Sequence, residues 1–397
     1  MDLPAIRQAL REQDFDAWLF YDHHRRDEIA YSILGLPQLH ATRRWFYLIP
    51  AAESDRAGPD PTAPEPVKLN HRVEPDHLST LPGEQQHYTG WRELHEKLAA
   101  VLRPYRRIAM QYSPNGEIPS ASLADAGIVE LIRGFGIEVG SSADLISRFD
   151  ATLTEAQIAT HYDARDHIDP IMHAVFHEIG HRVRHGGWYE WGVRQWLAEA
   201  LEREHLVTDC LPIVATSTNS GNPHYQPAKN LSRDFQAGDL ILIDIWAKLN
   251  APEAVYYDIT WTGVISQASE RQQQIFGIVR DARKAASRFV IDTVAAARPI
   301  AGWEVDRAAR SVIEHAGLGD NFVHRTGHSI GTSVHGNGAN MDNLETHDTR
   351  QILPNTLFSI EPGIYLPEFG VRSEVNMLVR GGRAEITGRE QEELVIC

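Results

Sequence analysis

Cysteine is nearly absent from this chain of 397 residues. The two that occur, Cys210 and Cys397, lie far apart, so they offer neither a disulfide framework nor a thiolate zinc site. Long apolar runs are missing as well. None approaches the roughly 20 residues of a membrane span, and no basic segment followed by an apolar one opens the sequence. We therefore expect no signal peptide, no membrane partner and a cytoplasmic location.

Positive charge is scarce. The chain has 38 Lys and Arg against 54 Asp and Glu, a net charge of −16, and no sustained basic stripe that could bind phosphates. We therefore expect no nucleic-acid partner. Hydrophobic residues make up 42% of the chain, which is typical of a folded globular protein. The length favours two domains over a single core.

The order of predicted elements changes near residue 150. Before it, helices and strands alternate: a helix from residue 4, strands at 16–20 and 44–50, a breaker-rich polar loop at 51–67, a helix at 90–103, a strand at 107–111 and a helix at 120–134. After it come a long helix opened by Thr154 and broken at Gly186, a second helix at 188–205, strands at 238–246, 255–264, 357–364 and 371–379, and helices at 268–294 and 303–316. We predict a smaller α/β domain at 1–150 and an α+β domain at 151–397.

Four acids and one histidine of the second domain stand in apolar or glycine-flanked segments, where an isolated charge is costly. They are Asp244, Asp258, His328, Glu361 and Glu374. A single buried acid is more often paired with a base than bound to a metal. Four carboxylates together are opposed by desolvation and mutual repulsion unless cations lie between them. Two divalent ions would cancel the four negative charges, so the sequence predicts a dinuclear metal site.

Strand alternation indicates how the aspartates are presented. In the strand at 238–246, Asp244 shares a face with Leu242 and Trp246, and the neighbouring strand is expected to bring Asp258 beside it. A set rich in oxygen ligands with one imidazole favours Mn, Co or Fe over a structural zinc. Carboxylates that bridge two such ions hold them ~3.5–4 Å apart and allow a shared water to ionise near neutral pH.

The remaining ligands follow different patterns. In the strand predicted at 371–379, Glu374 shares a face with Arg372 and Asn376. Glu361 is placed in a turn after an apolar run. His328 is flanked by glycines, which we expect to allow a close approach of the backbone to a ligand.

Five sequence blocks resemble, in order, the ligand motifs of the M24 metallopeptidases. The blocks are Gly238-Asp239 with Asp244, Asp258-Ile259-Thr260, Thr326-Gly327-His328-Ser329-Ile330-Gly331, Ile360-Glu361-Pro362-Gly363 and Val371-Arg372-Ser373-Glu374. The similarity covers 154–397, and a weaker similarity to the creatinase/prolidase N-terminal domain covers 1–150. The resemblance implies a pita-bread catalytic domain preceded by a creatinase-type domain. It also implies two divalent ions, with Mn²⁺ expected and Co²⁺, Fe²⁺ or Zn²⁺ as alternatives.

The resemblance also implies a role for each ligand. Asp244 and Asp258 would bind one metal, with Asp258 bridging to the second. His328 would bind the second metal, and Glu361 and Glu374 would complete the pair. Glu361 would in addition carry a proton to the leaving amine, a role that suits a carboxylate whose pKa is tuned by burial and charge.

Three further histidines and one arginine match family positions. His224, in Gly221-Asn222-Pro223-His224-Tyr225, corresponds to a histidine on the substrate side of the metals. His324 and His335 correspond to histidines that contact substrate or stabilise the tetrahedral intermediate. For Arg372 the sequence leaves open a substrate-carboxylate contact, a contact behind the metal ligands, or surface pairing.

The sequence departs from the family pattern beside the two aspartates. Trp246 follows the first aspartate where a glycine is usual, Trp261 stands where an arginine is common, and the 245–257 connection is about three residues longer than in the family. We expect each difference to alter the pocket.

A second metal motif lies on the predicted long helix. His177-Glu178-Ile179-Gly180-His181 spells the zincin pattern, in which two histidines one turn apart bind zinc and the glutamate acts as base. Glycine within the helix weakens it by about 1 kcal/mol, and neighbouring histidines suggest a solvated face. We interpret the motif as a chance match.

Three functions remain open on the sequence. The first is a dinuclear-metal exopeptidase of the Xaa-Pro aminopeptidase or dipeptidase type, acting on peptides or dipeptides and forming a homodimer or larger homo-oligomer. The second is a creatinase-family hydrolase or lyase acting on a small non-peptide substrate. The third is a pita-bread module that has lost catalysis and serves in binding.

Overall fold

The contacts within the chain divide it at residue 150. The computed structural model describes residues 1–37, 40–51 and 64–397, and these form two units, Met1–Asp150 and Ala151–Cys397. The predicted loop at 51–67 falls largely outside the described residues. In the part of the chain that the structure describes, no helix is both long and apolar enough to cross a membrane. The two cysteines are not bonded to each other.

The described residues contain nine α-helices and seventeen strands. The helices are α1 Leu3–Glu12, α2 Glu28–Leu34, α3 Trp91–Leu102, α4 Ala126–Gly134, α5 Ala143–Phe149, α6 Glu155–His185, α7 Glu190–Arg203, α8 Glu270–Ala295 and α9 Gly302–His315. The strands are β1 Ala17–Asp22, β2 Trp45–Pro50, β3 Val67–His71, β4 Glu84–Tyr88, β5 Arg107–Met110, β6 Glu138–Ser141, β7 Leu206–Val207, β8 Ile213–Thr216, β9 Leu240–Leu249, β10 Tyr257–Val264, β11 Ser329–Ile330, β12 Thr356–Ile360, β13 Gly363–Tyr365, β14 Gly370–Arg372, β15 Val375–Arg380, β16 Arg383–Ile386 and β17 Val395–Ile396.

The N-terminal unit is built on a six-stranded sheet in the order β4-β3-β2-β1-β5-β6. β2 runs antiparallel to both of its neighbours, and the other pairs are parallel. The predicted strand at 44–50 is confirmed as β2. β4 was not predicted, because its sequence Glu-Gln-Gln-His-Tyr lacks the apolar residues that mark a strand.

Helices α6 and α7 cover one face of the sheet that contains β9 and β10. The predicted start of α6 is confirmed, because the Thr154 hydroxyl accepts the N–H of Gln157 and the Gln157 side chain accepts the N–H of Thr154. The helix ends at Gly186, as predicted. Its buried residues pack against the odd-numbered residues of β9, such as Ile243 and Ile245. The odd-numbered residues Tyr257, Ile259 and Trp261 of β10 belong to the same core. The even-numbered residues of the two strands, which include Asp244 on β9 and Asp258 on β10, therefore face away from these helices.

The second sheet of this unit, β11-β12-β15-β16, and the hairpin β13-β14 pack against α8 and α9. The strand predicted at 371–379 is wrong in one respect. It is interrupted at Ser373 and Glu374, because β14 pairs with β13 whereas β15 pairs with β12. Glu374 thus lies in the short link between two strands. Its backbone N–H donates to the carbonyl of Thr260 on β10 (3.1 Å), which brings it to the other sheet.

One amide side chain connects the two sheets directly behind the site. Asn376 Oδ1 accepts the backbone N–H of Asp258 (3.0 Å), and Asn376 Nδ2 donates to the Asp258 carbonyl (2.6 Å). Asn376 is fully buried. These two hydrogen bonds therefore fix the position of Asp258 relative to Glu374, which lies two residues before Asn376 in the chain.

Candidate metal centre

A cavity of about 440 Å³ in the C-terminal unit brings the predicted site residues together. Its lining includes all five predicted ligands together with His224, His324, His335 and Arg372. Residues separated by more than 100 positions in the sequence thus meet at one place. The sequence predicted that these residues lie close together, but only the fold sets the distances between them.

Three of the ligands form the tightest group. Asp258, His328 and Glu374 each offer one ligand atom, and these atoms lie within 4.8 Å of one another. His328 Nε2 is 3.5 Å from Asp258 Oδ2 and 3.4 Å from Glu361 Oε1. The imidazole nitrogen therefore faces two carboxylates, and its Nδ1 lies 3.1 Å from the carbonyl of Ser329. If Nδ1 carries the proton, Nε2 presents a lone pair toward the acids, as a metal ligand must.

Carboxylate oxygens without partners indicate that this group fits cations. Asp244 Oδ1, Asp258 Oδ1 and Glu374 Oε1 are buried and have no hydrogen-bond partner in the described part of the chain. A buried carboxylate oxygen without a partner costs free energy, and several in one cavity are rare in native proteins. Oxygen donors of this kind suit hard divalent cations. The residues present therefore fit divalent metal ions.

The pKa values of these acids point the same way. Burial raises the pKa of Asp244 to about 7, with the charges of Asp258 and Glu361 raising it further and Arg372 opposing. Burial also raises the pKa of Asp258 and of Glu374 well above the ordinary range, and the neighbouring carboxylates add to the effect. Without cations the site favours protonated acids, and bound cations would favour the ionised form.

Glu361 differs from the other acids. Burial alone would raise its pKa, but His328, His324 and Arg372 outweigh burial and lower it. Its Oε1 accepts the hydroxyl of Ser359 (3.0 Å). Glu361 therefore stays ionised more readily than its neighbours.

Arg372 is held by protein groups on every side. Its Nη2 donates to Asp244 Oδ2 (2.5 Å), its Nε to Thr260 Oγ1 (3.0 Å), and its Nη1 to the hydroxyl of Tyr365 (3.1 Å) and the carbonyl of Pro223 (3.2 Å). The side chain is 3% exposed. It offsets one of the four negative charges, so the charge balance predicted from the ligands alone was incomplete. These contacts suit a residue that positions Asp244.

Two of the predicted histidines have lowered pKa values, although by surface exposure His324 is only partly buried and His335 is exposed. Burial lowers the pKa of His324 to about 4, and its Nε2 lies 2.7 Å from the hydroxyl of Tyr365. Burial and the nearby His328 lower the pKa of His335 to about 4 as well. The rings of His335 and His328 meet edge to face, with centroids 4.4 Å apart. Both histidines are therefore uncharged at neutral pH.

His224 is exposed and lies on a loop after β8 that one buried acid holds in place. That acid is Glu190 at the start of α7, which is 0% exposed. Its carboxylate accepts hydrogen bonds from four residues around the loop: the backbone N–H groups of Thr216 (2.8 Å) and Arg233 (2.9 Å), the amide of Asn219 (3.0 Å) and the hydroxyl of Tyr225 (2.8 Å). The sequence analysis missed Glu190. A glutamate that follows two aromatic residues at a helix start gives no sign of its burial.

The glycine before His328 has a different role from the one expected. A Cβ on Gly327 would lie 2.0 Å from the carbonyl oxygen of Ser359. The missing side chain at Gly327 therefore makes room for the backbone of β12. It does not serve the approach of a ligand. This approach lets the hydroxyl of Ser359 accept the backbone N–H of His328 (2.9 Å) while it donates to Glu361.

Of the three departures from the family pattern, one reaches the cavity. Trp246 lines it, and its indole N–H donates to Asp209 (2.6 Å). The expectation for Trp261 was wrong, because alternation along β10 places it on the face opposite Asp258, where it packs in the core against α6. Residues 247–257 do not line the cavity.

The zincin motif on α6 forms no metal site. His177 and His181 are exposed. Glu178 is paired with Arg182 (2.6 Å), and the ring of His181 stacks on that of His185. Gly180 is required by packing, since a Cβ there would lie 2.6 Å from the backbone of Cys397. Within the described residues, the group of side chains close enough together to hold a metal consists of Asp258, His328 and Glu374.

The cavity lining also contains residues that the sequence analysis did not single out. Arg325, Glu345 and Gln226 add polar groups, and Ile213 and Val334 add an apolar wall. Arg325 could have been noticed from its position between His324 and Thr326, inside a motif already identified. The others come from separate segments and give no sequence signal.

Comparison with known proteins agrees with this site. The sequence profile described as metallopeptidase family M24 matches residues 167–381, more than half of the chain. An Xaa-Pro dipeptidase of Pyrococcus furiosus is 33% identical over 185 residues, which cover 46% of this chain and 48% of that protein. The chain thus spans about half the length of the curated relatives it matches.

Solved structures resemble the whole chain. The dipeptidase PepE of Mycobacterium ulcerans superposes with a TM-score of 0.73 at 23% identity, covering 99% of this chain and 96% of that one. A dipeptidase of Pyrococcus horikoshii OT3 superposes with a TM-score of 0.66 at 24% identity, covering 100% of both chains. At these identities the likeness defines the fold, which is the pita-bread fold with a smaller N-terminal domain.

Proposed function

Because this chain belongs to metallopeptidase family M24, we propose that it is a dinuclear-metal exopeptidase that hydrolyses the bond after an N-terminal residue. Asp244, Asp258, His328, Glu361 and Glu374 would hold the two ions, with Asp258 between them. The observation that carries the proposal is the set of buried carboxylate oxygens without partners that face one cavity. In a protein that bound no cation, these buried oxygens would lower the stability of the fold, and no interaction would compensate for the loss.

Two divalent ions held there would supply an ionised water near neutral pH and an electrostatic partner for the substrate carbonyl oxygen. The protein's own residues would do the rest. Glu361, whose pKa is lowered, can accept a proton and deliver it to the leaving amine. His324 and His335 are neutral, so each can donate or accept a hydrogen bond without adding charge. His224, exposed at the cavity, would contact the substrate.

We place the substrate among Xaa-Pro dipeptides and peptides, which agrees with the Xaa-Pro dipeptidase names of two Pyrococcus relatives. We extend the proposal to Mn²⁺ as the metal, to a homodimer or larger homo-oligomer, and to a cytoplasmic location. Units 1–150 and 151–397 would be the creatinase-type and catalytic domains.

The test is metal content combined with hydrolysis. Purified protein loaded with Mn²⁺ should hold two equivalents of metal and cleave Xaa-Pro dipeptides. Two metals without cleavage of any peptide would favour the small-amide hydrolase or lyase. A protein that binds no metal would favour a binding module. Asp258→Ala should release metal and abolish cleavage, and a variant that keeps both would contradict the bridging assignment.

A further inference from the structure

One buried arginine of the C-terminal unit lies outside the metal cavity. Arg283 is on α8, and its side chain is 0% exposed. A buried guanidinium costs free energy unless acceptors and opposite charges surround it. The two carboxylates nearest to it, those of Glu390 and Glu392, belong to exposed residues and lie 3.4 and 3.7 Å away. Ion pairs with exposed acids contribute little, so stability alone does not account for this buried charge.

The shortest contacts of Arg283 lead to the segment that carries Glu374. Its Nη1 donates to Ser373 Oγ (2.6 Å) and to the carbonyl of Gln391 (2.9 Å). Ser373 is fully buried and immediately precedes Glu374, a member of the tightest group of predicted ligands. Both residues lie outside the paired positions of β14 and β15, so their place depends on other contacts.

A closed circuit of hydrogen bonds holds this link between the two strands. Gln391 is buried, and its side-chain amide accepts the backbone N–H of Thr262 on β10 (2.9 Å) and donates to the Thr262 carbonyl (2.5 Å). The hydroxyl of Thr262 donates to the carbonyl of Arg372 (2.7 Å), the residue before Ser373. The circuit then returns through Ser373 to Arg283 and Gln391. It ties the link to β10 and to α8 at the same time.

The circuit ends next to a carboxylate that has one oxygen to offer. Glu374 Oε2 accepts the hydroxyl of Thr260 (2.9 Å), whereas Oε1 has no hydrogen-bond partner among the residues that the structure describes. A carboxylate whose backbone and second oxygen are already held loses less conformational freedom when it binds an ion. Groups behind a metal ligand therefore contribute to metal affinity without touching the metal.

We propose that Arg283 is a positioning residue for Glu374, and that by holding Ser373 it sets the affinity of the site for divalent metal. This role accounts for a buried charge that its exposed partners do not explain. The inference rests on the proposed function, of which it uses the binding of metal and not the cleavage of peptides. It extends the metal centre to α8 and to Gln391.

The test is calorimetric titration of metal-free protein with Mn²⁺. Ser373→Ala removes an acceptor of Arg283 and leaves the bond to Gln391, and it should weaken Mn²⁺ binding roughly 10-fold, as is typical for groups behind metal ligands. Arg283→Lys keeps the charge with fewer donors and should also weaken binding; if that variant does not fold, Ser373→Ala decides. The matched control is Ser287→Ala, a buried serine one turn further along α8 whose hydroxyl has no partner in the described part of the chain. Its Kd should stay within about twofold of wild type.

Thermal unfolding distinguishes positioning from a general structural role. If Arg283 and Ser373 only stabilise the fold, Ser373→Ala lowers the Tm of the metal-free and the Mn²⁺-loaded protein equally. If they position Glu374, the increase in Tm on adding Mn²⁺ becomes smaller. An unchanged Kd, or equal losses of Tm in both states, overturns the inference and leaves the exopeptidase proposal intact. A weakened Kd in a protein that cleaves no peptide supports the inference and refutes the exopeptidase proposal, and a wild type that binds no Mn²⁺ overturns both.

Discussion

The stability of the metal-free protein should respond to pH through Asp244. The pKa of this acid is raised by burial from 3.8 to about 7 in the folded state. A group whose pKa is raised by folding binds more protons in the folded state than in the unfolded one. Its favourable contribution is complete below the unfolded pKa and is lost as pH rises through the folded pKa. For Asp244 this window extends from about pH 4 to pH 7.

The magnitude follows from the same values. A difference of about three pKa units, at 1.36 kcal/mol per unit, corresponds to roughly 4 kcal/mol, of which roughly 3 kcal/mol is lost between pH 5 and pH 8. Histidines oppose this trend in the whole protein, since burial lowers the pKa of His324 and His335 and stability then falls as pH decreases. A matched variant is therefore needed to isolate the acid.

Asp244→Asn keeps the shape of the side chain and removes its titration. We expect the free energy of unfolding of the variant, relative to wild type, to rise by roughly 3 kcal/mol from pH 5 to pH 8 in metal-free protein, on top of any constant offset. In a domain of about 250 residues this equals a shift in relative Tm of about 6–12 °C. The assay is denaturant or thermal unfolding of both proteins after chelation, at several pH values.

The control is Asp281→Asn, which makes the same substitution at an exposed acid on α8 that does not line the cavity. Addition of Mn²⁺ at pH 8 should stabilise the wild type more than Asp244→Asn. A relative stability that stays constant or falls with pH would refute the claim that burial of the acid opposes its ionisation. Equal stabilisation of both proteins by metal would refute the assignment of Asp244 as a ligand.

Two further sets of substitutions distinguish residues that position the site from residues that bind metal. Glu190→Gln should lower the free energy of unfolding by about 2–3 kcal/mol, because an amide nitrogen would face N–H donors in a fully buried site. It should raise KM with little change in metal content, as measured by kinetics and metal analysis, and loss of metal would contradict a role confined to the loop of His224. His177→Ala combined with His181→Ala should leave two metal equivalents and activity within about twofold of wild type. Loss of one equivalent would show that the motif on α6 binds metal.

The local elements of the C-terminal unit were largely predictable. The capping residues of α6, the break at Gly186 and the alternation along β9 are all properties of neighbouring residues. The interruption between β14 and β15 was not predictable from alternation. It depends on which strands pair, and pairing is decided by contacts between segments far apart in the chain.

The sequence by itself identified the family and the motifs of the predicted ligands, because a metal site of this kind would constrain residue identity and local spacing directly. Only the tertiary structure decided how the surrounding charges are matched. It engages Arg372 with Asp244, places Trp261 outside the cavity lining and encloses Glu190 behind the loop of His224. Pairing, burial and the face on which a side chain lies arise when distant segments pack together, and no short pattern records them.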